Sequence, residues 1–270
     1  VCDAATTYPR PTASELEQAY LRYRPPGGRF PAGGDRLLAF SRGLLARRLD
    51  RIAPPGPVLD VGAGDGSLLR ALRARGREAV GLERSWGADG VLDRDIAEFN
   101  DRSGGWAAVV FWHSLEHLPD SAAAVDRAVT LLTEGGVLAI AVPNLHSWQA
   151  RSFRARWLHL DLPRHLVHLP VHALEAGLVQ RGLTVDRVSH WRGGQILFGW
   201  LHGLVGWIPG HPDLYSAIRR PSAQERRSAG VRRLAVLAAG TALAPVAAIM
   251  AVGEIACRAG GTVYLEARRP

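Results

Sequence analysis

Lysine is absent: all 33 basic residues of this 270-residue chain are arginine. Arginine recognises carboxylates and phosphates through a bidentate fork. The accompanying abundance of Ala, Gly and Pro favours a blander cause, codon usage in a GC-rich genome. Cysteine is nearly absent as well. Cys2 and Cys257 cannot build a disulfide framework, which points to a reducing cytoplasm. No internal repeat, low-complexity tract or secretory signal is visible. Charged residues make up only 21% against 47% apolar, which excludes a disordered chain and leaves a globular one. The length suits one domain with elaborations.

The charge that is present is unbalanced, at a formal +8. Such a balance suits nucleic acid or an anionic membrane surface. Candidate contacts are the pairs Arg47-Arg48, Arg219-Arg220, Arg226-Arg227 and Arg232-Arg233. Stacking aromatics within a recognisable nucleic-acid module are missing, so nucleic acid is the less favoured partner.

The richest stretch is Val58-Leu59-Asp60-Val61-Gly62-Ala63-Gly64-Asp65-Gly66. It reads as a buried strand entering a glycine loop, with helix-forming residues from Ser67 onward. Gly62, Gly64 and Gly66 permit positive φ and let backbone approach a ligand. Such a unit is the usual cofactor site of a doubly wound α/β sheet. The spacing is not the dinucleotide pattern, because Asp65-Gly66 follows Gly64 at once. Asp60 and Asp65 would repel a pyrophosphate. They suit a ligand carrying an ammonium, a sulfonium and sugar hydroxyls, which describes S-adenosylmethionine.

Strand and helix signals alternate through the next hundred residues: strand 58–61, helix 66–75, strand 78–83, strand 107–112, helix 121–133 and strand 137–142. Alternation of this kind argues for a parallel sheet with right-handed crossovers. A Thr12–Glu15 capping box opens a helix running to about Tyr23. Residues 24–34 read as a Pro/Gly loop, and Leu38, Leu45, Leu49 and Ile52 place a helix over 35–52. Further on, a helix is expected over 171–182 and a strand over 183–191.

Five segments in order resemble class I S-adenosylmethionine-dependent methyltransferases. The first is Val58–Gly66. Ala79-Val80-Gly81-Leu82-Glu83 is similar to their second strand, and Arg94-Asp95-Ile96 to the segment that follows. Val109–Asp120, containing Leu115-Glu116-His117, resembles the fourth strand and loop of one branch; Gly135–Ile140 resembles the turn into strand five. The resemblance implies a Rossmann-like, doubly wound, mostly parallel seven-stranded sheet, with an antiparallel last strand and here a helical insertion before it. It implies a cofactor site of Asp60, Gly62, Ala63, Gly64, Glu83 and Asp95, with His113 and Ser114 lining it. Glu83 would accept from both ribose hydroxyls and Asp95 would meet the adenine amino group, a role Asp93 could also take.

Asp161-Leu162-Pro163-Arg164-His165-Leu166-Val167-His168-Leu169 resembles a D-x-P-R-H-L-x-H-aromatic segment of the same branch, with Leu169 in place of the aromatic. His165, with His168, is the candidate general base, since imidazole titrates near neutral pH. The alternative is that Arg164 and His165 brace the loop. No metal is assigned: His165-x-x-His168 would need carboxylates at matched geometry, and none is apparent from the sequence. Glu116 and His117 are read as capping the next helix. Pro9-Arg10-Pro11 to Leu16 resembles a segment that follows a C-x-x-C metal knuckle in that branch, and Cys2 stands where the last cysteine would be. One ligand cannot hold structural zinc.

About 70 residues separate strand 183–191 from the last strand, 261–268, where a short link is usual. This insert carries Trp200, Trp207 and a nearly uncharged run from Leu234 to Gly253. Three readings compete: a buried helical hairpin, the favoured one; interfacial membrane attachment; and a true span. The division is therefore an N-terminal extension (1–34), a core (35–192), an apolar cap (193–260) and the last core strand (261–270). The function expected is methyl transfer to a small-molecule, sugar or lipid-linked acceptor, in the cytoplasm or at the inner face of the membrane. A non-catalytic cofactor-binding scaffold is the alternative. A nucleic-acid methyltransferase is less favoured, because Trp112-His113-Ser114-Leu115 stands where an Asn/Asp-Pro-Pro-aromatic signature would be.

Overall fold

The computed structural model describes residues 2–23, 32–84, 88–100, 105–191, 193–219 and 230–270. Strands β2 (Val58–Val61, apolar but for Asp60), β3 (Ala79–Leu82), β5 (Trp106–Trp112) and β6 (Leu132–Pro143, apolar from Val137) are mostly apolar, and β2 and β5 are buried at every position. Continuous apolar strands belong to a sheet covered on both faces. With β4 (Val91–Leu92), β8 (Thr184–Ser189) and β9 (Thr262–Arg268) they form a seven-stranded sheet, ordered β4-β3-β2-β5-β6-β9-β8. The first five pair in parallel, and β9 lies antiparallel between β6 and β8.

Helices α2 (Ala32–Ile52) and α3 (Ser67–Arg73) cover one face, burying Leu45, Leu49, Leu68 and Leu72 against Val58, Val110 and Ala139. On the other face, α4 (Ser121–Leu131) and α6 (Val171–Gln180) bury Val125, Ala128, Leu174 and Leu178 against Leu59, Val109 and Leu138. The chain winds outward from β2 through β3 to β4, then returns to β5 on the other side. Ligands bind at the carboxyl ends of strands beside such a switch point. Here that edge carries the glycine loop after β2 and His113 after β5.

Helix α1 (Ala13–Tyr23) begins at the expected capping box: Thr12 N donates to Glu15 Oε2 at 2.8 Å, and Glu15 N to Thr12 Oγ1 at 3.3 Å. Ahead of it, β1 (Ala5–Thr6) pairs antiparallel with β7 (Val167–His168), which lays the N-terminal segment over the histidine-rich loop. One local expectation is corrected. Glu116 and His117 do not cap α4; they lie in a 3-10 turn, and Asp120 caps α4 by accepting from Ala123 N at 2.9 Å. The glutamate and histidine point elsewhere, with consequences below.

The insert is α7 (Gly193–Gly206), α8 (Leu214–Ile218) and α9 (Gly230–Ala256). With α5 (Trp148–Phe153), α7 and α9 bury Phe153, Ile196, Trp200, Ala247 and Ala251 in a separate apolar cluster, and α8 packs Leu214 and Ala217 on Val205 and Val236 in a smaller one. The centre of the larger cluster is polar. Glu254, fully buried, accepts from Gln149 N at 2.9 Å, Gln149 Nε2 at 2.8 Å and Trp200 Nε1 at 2.9 Å, joining three helices.

The buried-hairpin reading holds for only one face of α9. Its other face presents Val231, Leu234, Val246, Ile249 and Val252 to solvent, the last two at 72% and 67% exposure. Among the described residues, α9 is the one helix long and apolar enough to cross a membrane by length and composition. It packs along α7 and leads within a few residues into β9, inside the sheet. Of the arginine pairs noted in the sequence, Arg220, Arg226 and Arg227 lie outside the described residues.

Candidate functional site

The glycine loop turns at the carboxyl end of β2 with φ of +81° at Gly62, +56° at Gly64 and +69° at Gly66. Gly62 and Ala63 both donate to Leu82 O, at 2.8 and 3.1 Å, pinning the loop to β3. A Cβ on Gly62 would stand 2.3 Å from that of Ser114, so this glycine is needed for packing as well as for φ. Gly64 differs: a Cβ there would meet nothing within 4 Å. Its backbone borders open space.

Four expected groups lie on this edge of the sheet, one of them in contact with Gly64. Glu83, just past β3, accepts from Gly64 N at 3.1 Å through Oε2 and from Arg84 N at 3.0 Å through Oε1. Asp60 sits beneath the loop, 3% exposed, with Oδ1 lacking any hydrogen-bond partner. Burial pushes its pKa up to about 7; Arg42 pulls it down, while Glu83 and Asp65 add to the rise. Ser114 is buried and donates to Val61 O. His113, at φ +55°, is held by its backbone N–H on Ala141 O at 2.8 Å, with its ring against Gln195 of α7. An orphaned carboxylate oxygen, a glycine facing open space and a strand-end glutamate fit a ligand with an ammonium and a ribose. S-Adenosylmethionine is such a ligand.

Asp95 lies on the same edge but is occupied. Its Oδ1 accepts from Ala97 N at 3.0 Å and its Oδ2 pairs with Arg84. Burial acts to raise its pKa, but those hydrogen bonds outweigh burial and the net shift is downward. Asp93 is exposed.

Histidines gather across the cleft. His165 is 5% exposed and its Nδ1 bonds His159 O at 2.8 Å. Burial, with His117 and His159 nearby, holds its pKa well below the usual imidazole range. His168 is also buried, neither ring nitrogen has a hydrogen-bond partner, and burial lowers its pKa. His159 stacks on His113 with ring centroids 6.2 Å apart, and burial pushes its pKa to about 3. Arg164 holds Asp161, three residues before it, through two bonds of 2.5 and 3.2 Å.

Sequence reasoning missed what these histidines face. Glu116 is 2% exposed, and neither carboxylate oxygen has a hydrogen-bond partner. His113 Nδ1 stands 3.4 Å and His165 Nε2 3.9 Å from its Oε1. Burial pushes Glu116 up to about 7, with His117 opposing. A cleft of about 340 Å³ opens between the loop (Trp157, Asp161, Leu162) and the insert (His202, Asp213, Tyr215), and its Asp161 stands 3.6 Å from His165 Nε2.

A family model described as a methyltransferase domain matches residues 36–188, more than half of the chain. Among solved structures, the [4+2]-cyclase SpnF is similar at 17% identity, covering 84% of this chain and 80% of its own, with a TM-score of 0.51. A SAM-dependent methyltransferase from Archaeoglobus fulgidus is similar at 16% identity, covering 84% and 94%, with a TM-score of 0.50. A third, from Thermotoga maritima and described as a possible histamine N-methyltransferase, has 11% identity, coverage of 94% and 99%, and a TM-score of 0.50. Identities this low carry the likeness to the level of the fold. Comparison with curated proteins gives no match.

Proposed function

The chain belongs to the methyltransferase-domain family and is an S-adenosylmethionine-dependent methyltransferase, and from that premise we propose how its own residues divide the work. Residues 35–192 and 261–270 form the cofactor-binding core, 193–260 form a cap over the acceptor, and 1–34 are an N-terminal extension whose strand β1 pairs with β7 in the histidine loop. The carrying observation is the open space at Gly64, whose N–H is held by Glu83, with the orphaned and buried Asp60 Oδ1 near the end of β2, the strand that leads into the loop. Glu83 takes the ribose hydroxyls, Asp60 takes the ammonium, and Gly62, Ala63 and Gly64 supply close backbone. Asp95, steadied by Arg84, lies at the adenine end, and His113 and Ser114 line the wall after β5.

When bound, the cofactor supplies an electrophilic methyl group and its own leaving group. The protein must then align the acceptor and exclude water. The cleft between the 155–162 loop and the insert supports a small-molecule acceptor site. Lowered imidazole pKa values keep His165 and His168 neutral at pH 7, able to take a proton from an oxygen or nitrogen acceptor. His165 is already bonded at Nδ1, so His168 is the freer of the two.

The exposed apolar face of α9 favours the lipid-linked subset of acceptors and a place at an anionic bilayer surface. Exposed Arg232 near the start of α9 and Arg258 just past its end suit acidic headgroups. Methyl transfer from labelled cofactor into a lysate, resolved into polar and lipid fractions, tests the whole reading. Label in a small or lipid product supports it. Cofactor binding without label in any product would leave a scaffold instead.

A further inference from the structure

The group formed by buried Glu116 and His165 with half-buried His117 offers a use for the His165 Nε2 lone pair that excludes its service as the base, a role then left to His168. One ligand-capable atom from each lies within 4.8 Å of the other two. Both imidazoles are oriented from behind. His117 Nδ1 bonds the carbonyl of Arg164 at 3.0 Å, and His165 Nδ1 bonds the carbonyl of His159 at 2.8 Å. A carbonyl oxygen only accepts, so each Nδ1 carries the proton and each Nε2 keeps its lone pair. Outer hydrogen bonds of this kind fix the ring and tautomer of metal-ligating histidines.

The third member is a carboxylate with no hydrogen-bond partner at either oxygen, 98% removed from solvent. A buried carboxylate in that state is costly unless something pairs with it. Rigid backbone holds it in place, since Leu166 N donates to Glu116 O at 2.8 Å and couples the two chain segments. Asp161, the next carboxylate, is 3.6 Å from His165 Nε2 but is held by Arg164, so it adds negative field without being a free ligand.

We propose that Glu116, His117 and His165 form a binding site for a divalent cation of the zinc, manganese or iron class. Two imidazole nitrogens and one carboxylate select those ions over magnesium and calcium, which take oxygen ligands. Three protein ligands leave a coordination position open, as in sites that also hold a water or an acceptor oxygen. Glu116 and His117 sit four and five residues past the end of β5, beside the cofactor wall formed by His113 and Ser114. The sequence hides it because His117 and His165 are brought together only by the fold.

Metal titration of the untagged full chain tests this. After chelator treatment, Zn²⁺ is added and followed by calorimetry and elemental analysis, with Co²⁺ as a spectroscopic probe. The expected result is one ion per chain, a raised melting temperature, and weak visible Co²⁺ bands without thiolate charge transfer. Glu116→Gln and His165→Asn, each confirmed as folded by circular dichroism, should weaken binding by about 10- to 100-fold or more. A folded, stripped protein that takes up no ion would overturn the proposal. So would uptake that persists unchanged in both variants, or Co²⁺ spectra showing thiolate ligation, which would place the ion at Cys2 or Cys257.

Discussion

The carboxylate of Glu83 accepts a hydrogen bond from the backbone N–H of Gly64 at 3.1 Å. The end of the second strand and the glycine loop are therefore one unit, already aligned before a ligand arrives. Replacing Glu83 with Ala should remove that brace and the acceptor proposed for the ribose hydroxyls. Each hydrogen bond to a charged group is worth roughly 1.5–3 kcal/mol, so cofactor affinity should fall by about 10- to 100-fold or more. Calorimetric titration with the demethylated cofactor product measures it. Unchanged affinity would reject the ribose role of Glu83.

Asp60 gives a pH signature of opposite sign to the usual buried ion pair. Burial raises its folded pKa to about 7, from 3.8. The folded state therefore holds a proton that the unfolded state has lost, and stability falls as pH climbs from about 4 through 7. A shift of roughly three units corresponds to a contribution on the order of 4 kcal/mol. His159, His165 and His168, with lowered pKa values, push the wild-type curve the other way over part of this range. Those contributions cancel in the difference between Asp60→Asn and wild type. Urea unfolding at pH 5, 6.5 and 8 should show the variant gaining stability over wild type as pH rises, while losing cofactor affinity. A pH-independent difference would remove the argument.

These two residues show how far the sequence could be read. Val58–Val61, apolar but for Asp60 and bounded by Pro57 and Gly62, and Trp106–Trp112, wholly apolar, leave few options besides strands, and the structure places them where expected. Gly62, Gly64 and Glu83 were legible because local spacing puts a loop and a strand end side by side. Glu116 was not, since its partner His165 is distant in sequence and reaches it through a loop packed under the N-terminal segment. Nor could periodicity tell which face of α9 is covered. Leu, Val, Ile and Ala occur on every side of it, so no apolar stripe marks the packed face.

Glu254 sets the stability of the cap. It accepts three hydrogen bonds from Gln149 and Trp200 in full burial, and burial raises its pKa despite them. Glu254→Ala would leave three buried donors unsatisfied at about 1–3 kcal/mol for each group. The expected loss is about 3 kcal/mol or more, with the cap loosened before the core. Glu254→Gln keeps an acceptor and should cost clearly less. Thermal melts followed by Trp fluorescence, sensitive to buried Trp200, and by far-ultraviolet dichroism separate the two events. Equal effects of both variants would assign the loss to side-chain volume and not to hydrogen bonding.

The outward face of α9 yields the last prediction. Val246, Ile249 and Val252 are 46%, 72% and 67% exposed, one helical turn apart on one face. Charging them should cost the fold little, because exposed substitutions usually fall within about 0.5 kcal/mol. The triple variant Val246→Asp, Ile249→Asp, Val252→Asp should therefore keep the wild-type melting temperature within a few degrees. If α9 rests on an anionic bilayer, the same variant should stop floating with phosphatidylserine vesicles, and the wild type should float less as salt screens its arginines. Arg232→Gln with Arg258→Gln should weaken flotation on anionic vesicles without affecting the helix. A wild-type protein that stays monodisperse and ignores vesicles of every charge would sink the membrane reading. Dimerisation lost in the triple variant would instead give this face to a second copy of the chain.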